Sequence, residues 1–182
     1  MTDRRSRVDS KGAELSARAL LAERTLRMSA TVAFSGYSAD QVFEIMGDPT
    51  RITDWYLLAK SVRVEDGEAA DQPFIVDFTL FGEVTEQVLF WDPPSSYIYI
   101  ATGEEFPIED YHAEISVEDK GPDSGLLCWR VYFDRVSGSH HQNLLPVILP
   151  AVTEASVHRL SQMIGGTECS LVSDFNTPLI NA

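Results

Sequence analysis

The sequence predicts an α+β domain in which a curved antiparallel sheet of about seven strands wraps around one long C-terminal helix, with two short helices after the first strand. Three observations predict it. Residues 28–35 alternate between apolar and small or polar side chains, the period of a half-buried strand. Between residues 60 and 136 six β-rich runs follow one another, separated by turn residues. From about Leu144 to Ile164 the apolar residues recur at helical spacing.

Residues 1–26 read as a partly helical N-terminal arm. Ala13 to Leu26 is rich in helix formers, with Leu15, Ala19, Ala22 and Leu26 on one face. That stripe is narrow and suits a helix laid on the domain or on a partner chain. The domain proper spans 27–165. Met28, Ala30, Val32 and Phe34 form the apolar side of its first strand. Ser38 stands three residues before Gln41, the spacing of a capping box, and Val42, Phe43, Ile45 and Met46 continue as a short helix. Asp48-Pro49 ends it and starts a second, through Ile52 to Trp55.

Strands are expected at Lys60–Glu65, Pro73–Phe81, Glu83–Trp91, Tyr97–Thr102, Asp110–Asp119 and Gly125–Val136. The punctuation between them is Asp66-Gly67, Gly82, Asp92-Pro93-Pro94, Gly103 and Lys120-Gly121-Pro122. Gly82, alone between two runs, marks a tight hairpin. In the last helix Ile148, Val152, Ala155 and Met163 form the stripe, and Pro150 lies early enough to kink the helix without destroying it. Residues 166–182 show no clear period and read as a C-terminal tail packed through Leu171, Phe175 and Leu179.

Composition narrows the function. The chain has 182 residues, 44% of them hydrophobic, enough for one domain with a core of its own. Its formal charge of −14 is repelled by phosphate backbones and anionic membrane surfaces, so no nucleic-acid partner is expected. The only basic stretch is Arg4, Arg5, Arg7 and Lys11. No apolar run reaches the roughly 18 residues of a membrane span, and the basic start is not followed by a signal-peptide core. Two cysteines, Cys128 and Cys169, do not make a disulfide framework; reduced thiols and a cytoplasmic location are expected.

The order of motifs resembles the SRPBCC superfamily, the START-like or pollen-allergen-like proteins with the helix-grip fold, and within it the polyketide cyclase/dehydrase-like branch. Ser38-Ala39-Asp40-Gln41-Val42-Phe43, then Asp48-Pro49 and Trp55, resemble the first helix pair of that branch. Trp91-Asp92-Pro93-Pro94 resembles its strand-ending turn. Pro107-Ile108-Glu109-Asp110-Tyr111 with Ala113, and Cys128-Trp129-Arg130 with Phe133, resemble its last two strands. The match covers about residues 27–165. It implies the fold, and it implies function only broadly, since members include ligand carriers, sensors and cyclases.

A curved sheet gripping one helix leaves a gap, closed at one end by the two short helices. An empty cavity of about 300 Å³ would cost on the order of 7 kcal/mol at roughly 24 cal/mol per Å³, so such a gap must be small, hydrated or occupied. Strand parity puts Leu127, Trp129, Val131 and Phe133 on one apolar face, Tyr111, Ala113, Ile115 and Val117 on another, and Phe74, Val76, Phe78 and Leu80 on a third. Expected ligand contacts are therefore Phe78, Tyr99, Tyr111, Trp129 and Val131 from the sheet and Ile148, Val152 and Ala155 from the helix. Trp55 and Tyr56 stand where a mouth would be. The competing reading is that these aromatics fill the core.

Candidate acid, base or polar groups are Tyr111, Asp77, Glu86, Arg130 and His158. Tyr111 carries a hydroxyl that needs a partner when buried. Asp77 and Glu86 are expected to face outward; buried, either would have a raised pKa and could move a proton. Arg130 lies opposite Trp129 and is expected on the solvent side, paired with a carboxylate. His112 is expected to be exposed and His158 to sit beside the helix stripe. His140-His141 point apart and have no further ligand at a metal-site spacing, so no metal is expected. Cys128 lacks a neighbouring base. Without a nucleophile elbow, a phosphate loop or a dinucleotide fingerprint, no cofactor is expected.

Three functions remain: a container for a small hydrophobic molecule such as a polyketide, lipid or aromatic metabolite; a cyclase/dehydrase-type enzyme that shapes a reactive chain in the same cavity; or a protein-interaction module with a vestigial cavity. The sheet edges and N-terminal helix permit a homodimer.

Overall fold

The computed structural model describes residues 3–64 and 73–181, with side chains from residue 11 onward. The Asp66-Gly67 turn, the end of the strand expected at Lys60–Glu65, and the side chains of Arg4, Arg5 and Arg7 lie outside the described residues. Helix α1 (Asp3–Ala22) leads into strand β1 (Leu26–Ser35). Helix α2 (Ala39–Gly47), a 3-10 turn at Pro49–Arg51 and the single-turn helix α3 (Ile52–Trp55) follow. Next come β2 (Ala59–Val64), β3 (Phe74–Phe78), β4 (Gly82–Asp92), β5 (Ser96–Thr102), β6 (Ile108–Glu109), β7 (Tyr111–Gly121), β8 (Ser124–Tyr132) and β9 (Arg135–Val136). Helix α4 (Ser139–Met163), β10 (Gly166–Ser173) and β11 (Ile180–Asn181) complete the chain.

Eight strands form one antiparallel sheet in the order β10-β1-β8-β7-β5-β4-β3-β2, and β11, β9 and β6 form a small second sheet. The segment expected to be a tail thus supplies the eighth strand: β10 pairs with β1 from Ser173 opposite Met28 to Gly166 opposite Phe34. Its alternation is hidden because the half-buried apolar residues are only Cys169 and Leu171, in a strand otherwise Gly, Thr, Glu and Ser with an exposed Val172 beside them. Among the described residues no helix is long and apolar enough to cross a membrane.

The capping box forms as its spacing requires. Ser38 Oγ accepts from the Gln41 amide, and Gln41 Oε1 accepts from the Ser38 amide at 2.9 Å. The end of α2 is tied to the sheet by the Tyr97 hydroxyl, which donates to the Met46 carbonyl at 2.7 Å. Gly82 turns the chain from β3 to β4 with φ +62°, a conformation that favours glycine. Because β3 ends at Phe78, parity does not carry on to Leu80: Leu80 is 52% exposed and Phe81 is buried instead. Arg27, the bulkiest of the fully buried side chains, fastens the C-terminal segment: Nε donates to the Phe133 carbonyl at 2.8 Å, and one terminal nitrogen donates to Thr177 at 2.6 Å.

Both helical stripes fall on different residues from those expected. In α1 the packed residues are Ala17 and Leu21, set against Phe90 and Ile98 on the outer face of the sheet. Leu15 is exposed, and Leu26 opens β1. In α4 the buried face is Leu145, Leu149, Thr153, Ser156, Val157, Leu160 and Ser161, one position on from Ile148, Val152 and Ala155, which are only half-buried. Polar Thr153 and Ser156 interrupt the true stripe and make the neighbouring one read better. His112, expected outside, is also buried; α1 covers that part of the sheet, and His112 Nδ1 lies 2.8 Å from the Asp110 carbonyl.

The α1 docking predicts that Leu21→Ala destabilises the domain by about 2 kcal/mol, the usual cost of truncating a buried leucine. Leu15→Ala should change stability by less than about 0.5 kcal/mol. Urea midpoints of the two variants check this.

Candidate functional site

Helix α4 packs against β10 and β1, and α3 packs against α4. Over the concave faces of β3, β4, β5 and β7 a cavity lies between the sheet and α4, lined from the sheet by Phe78, Val84, Glu86, Tyr99 and Tyr111 and from α4 by Leu149 and Thr153. Large rings surround it. Tyr56 stands 5.5 Å from Phe78 and 5.9 Å from Trp129, Trp55 5.6 Å from Trp129, and Tyr111 5.6 Å from Phe106 and 6.2 Å from Tyr99, all between ring centroids. Most meet edge to face, the favoured geometry for such pairs. The cavity is a narrow slot of about 40 Å³, room for about three waters.

The expected contacts Trp55, Tyr56, Phe78, Tyr99, Tyr111 and Trp129 all line this slot. Val131 is buried in the core but does not line it, and neither do Ile148, Val152 or Ala155; from α4 the lining residues are Leu149 and Thr153. Phe106 and Ile108, which precede β7, close another side and were not singled out in the sequence.

The main correction concerns Glu86. Its side chain lines the cavity and the residue is only 8% exposed. It shares the inner face with Val84, two residues before it, which also lines the cavity; the register then changes. Glu86 faces Ala101 and Val88 faces Tyr99, but the pairing then shifts, so that Phe90 faces Ile98 and Trp91 faces Tyr97. This β-bulge reverses parity within β4. Glu86 and Trp91, on opposite faces of an unbroken strand, both point inward, while Phe90 points out to α1. In the same row Ala101 faces Tyr111 on β7, so a one-carbon side chain separates the Glu86 carboxyl from the Tyr111 ring.

The remaining candidates lie elsewhere. Asp77 faces outward and pairs with Lys60 at 3.1 Å. Arg130 pairs with Glu114 at 3.1 Å, and Arg18 of α1 holds the other Glu114 oxygen at 2.8 Å. His158 is exposed, its Nδ1 3.3 Å from Cys169 Sγ. Among the described residues no cluster of three or more His, Cys, Asp or Glu could hold a metal.

Electrostatics separate Glu86 from its neighbours. Burial pushes its carboxyl up to about 8, because water no longer solvates the charge. Among the described residues no group hydrogen-bonds it and no cation pairs with it. Burial, with Glu86 adding to it, raises the phenols of Tyr56 and Tyr97. Tyr99 and Tyr111 are also raised, first by burial and then by neighbouring tyrosines and Glu86. All four remain neutral hydroxyls at physiological pH. Trp129 Nε1 and Thr153 Oγ1, both of residues lining the cavity, are buried without a hydrogen-bond partner in the protein. Among the described residues the arrangement is an apolar slot with one acid poised near neutrality and several neutral hydroxyls.

Comparison with known proteins agrees with this architecture. The family profile described as polyketide cyclase / dehydrase and lipid transport matches residues 25–163. No curated protein matches the chain. Among solved structures, the ZhuI aromatase/cyclase from Streptomyces sp. R1128 superposes with a TM-score of 0.63 at 15% identity, over 77% of this chain and 94% of that one. The XoxI protein from Bacillus cereus gives 0.61 at 18% identity, over 76% and 95%. A START superfamily protein from Mycobacterium smegmatis gives 0.56 at 18%, over 75% and 99%. At these identities the likeness is one of fold.

The position of Glu86 has a measurable consequence. Its folded pKa of about 8 lies above the ordinary 4.5, so the folded state holds the proton more tightly than the unfolded chain. Its contribution to stability is full below pH 4.5 and is lost as pH rises to about 8. Glu86→Gln should abolish that loss, stabilising the protein by a few kcal/mol at pH 8, at about 1.4 kcal/mol per pH unit, and little at pH 4.5. Urea unfolding of both proteins at the two pH values tests it.

Proposed function

We propose that this chain, which belongs to the polyketide cyclase / dehydrase and lipid transport family, binds a small hydrophobic molecule in the cavity between its sheet and α4. The observation that carries this reading is the lining: among the described residues, eight aromatic rings and one buried carboxyl surround a largely apolar slot, the kind of site that takes a small molecule. A polyketide, lipid or aromatic metabolite has the required surface.

The slot is too thin to receive such a body without yielding. The first half of α4 is the side that yields. Pro146 and Pro150 lie within the helix, and neither can donate to the carbonyl four residues back. Leu149, between them, lines the slot.

A second reading, catalysis of the cyclase or dehydrase type, is favoured by Glu86 beside Tyr111. Of the candidate groups only these two line the cavity. Holding a reactive chain in a folded conformation would supply much of the rate. A carboxyl that titrates at about 8 can deliver or accept a proton near neutrality. We place the protein in the cytoplasm with Cys128 and Cys169 reduced, and its charge of −14 argues against a nucleic-acid partner.

Native mass spectrometry of freshly purified protein should show a co-purified small molecule, and the neutral dye N-phenyl-1-naphthylamine should bind with enhanced fluorescence. Ala101→Leu, which adds carbon atoms inside the slot, should weaken the dye at least tenfold. A bare protein that leaves the dye dark, or an Ala101→Leu variant that binds it unchanged, would contradict the reading.

A further inference from the structure

Among the described residues the cavity carries one acid and no base: the lining includes Glu86 but no lysine, arginine or histidine. An anionic guest, a fatty-acid carboxylate for instance, would meet no positive charge and would face Glu86. A neutral guest would be served as well by the amide of a glutamine. What a carboxyl offers a bound guest, apart from the proton transfer of the second reading above, is negative charge, and burying it unpaired is costly unless a cation answers it. Aromatic faces attract cations through their ring quadrupoles, and Tyr56, Tyr99 and Tyr111 are close enough to Glu86 for its charge to affect their phenols. The whole chain, at −14, draws cations toward it.

We infer that the guest is an organic cation, a protonated amine on an apolar body, with its ammonium group on the Glu86 carboxylate and aromatic rings around it. This rests on the binding reading above and names the ligand class of the same cavity. The titratable groups that feel the charge of Glu86 from neighbouring elements are Tyr56 after α3, Tyr97 and Tyr99 on β5 and Tyr111 on β7, all neutral phenols, and Phe74 stands opposite it on β3. α4 adds Leu149 and Thr153. Among the described residues Glu86 is therefore the one lining group that titrates between pH 6 and 8. At pH 6.5 it enters the complex by losing its proton to solvent while the amine keeps its own.

The test uses three probes with one body: 3-phenylpropylamine, 3-phenylpropan-1-ol and 3-phenylpropanoate, measured by calorimetry at pH 7.5 and by displacement of N-phenyl-1-naphthylamine. The amine should bind at least tenfold tighter than the alcohol, and the acid should not bind measurably. Glu86→Gln, with the fold checked by circular dichroism, should bring amine and alcohol to equal affinity. In buffers of different ionisation enthalpy, amine binding at pH 6.5 should release about one proton. Its affinity should rise about tenfold from pH 6 to 7 and level off above 8. An alcohol as tight as the amine, a preference that survives Glu86→Gln, or amine binding independent of pH would overturn the inference. Dye binding that none of the probes displaces would overturn it too while leaving the cavity reading intact. Failure of the dye as well would remove both.

Discussion

One helix has to cover a concave sheet eight strands wide. Neighbouring strands lie about 4.8 Å apart and a helix with its side chains is about 10 Å across, so it shields roughly two strands. α4 packs most closely on β10 and β1, and among the described residues it meets the cavity over the other strands only through Leu149 and Thr153. The rest of the inner surface must be covered by side chains, and the largest available are rings. They come from α3 and the residue after it, from the segment before β7, and from the strands themselves. Rings meeting edge to face leave slots that branched aliphatic residues would fill. The cavity is thus a result of geometry before it is a device for binding.

The bulge in β4 re-aims its C-terminal end. After the shift between Val88 and Phe90, Trp91 packs on Phe43 at 5.0 Å and helps hold α2, while Phe90 turns out to receive α1. Before it, ordinary alternation keeps Val84 and Glu86 on the inner face, so one strand seats the N-terminal helix, packs α2 and supplies the chemistry of the site. The acid it buries opposes folding, and retaining such a group at a cost in stability is the pattern expected at a functional site rather than in a core.

Much of this was legible in the sequence. The run of strands, the capping box at Ser38 and the aromatic walls Trp55, Tyr56, Phe78, Tyr99, Tyr111 and Trp129 follow from period and spacing. What was hidden has definite physical causes. A charged side chain in a strand is expected on the solvent face, so Glu86 reads as outward, and the bulge that turns Trp91 in and Phe90 out leaves no mark in the sequence. α4 presents Thr153 and Ser156 to the interior, so the apolar count favoured Ile148, Val152 and Ala155. β10 is an edge strand whose few inward residues alternate too weakly to stand out. The outer face of the sheet was taken for solvent at His112 because the landing site of α1 depends on Phe90 and Ile98, residues distant from it in the chain.

The central claim is that an acid sits unanswered in the space α4 leaves open. Carbon-13 NMR of the Glu86 carboxyl, titrated in protein freed of small molecules, tests it most directly. The account predicts a midpoint near pH 8, moving sharply downward when an amine is bound. A midpoint in the ordinary range of 4 to 5 for a glutamate in water would mean that Glu86 is solvated, and both the buried acid and the ligand class inferred from it would be wrong.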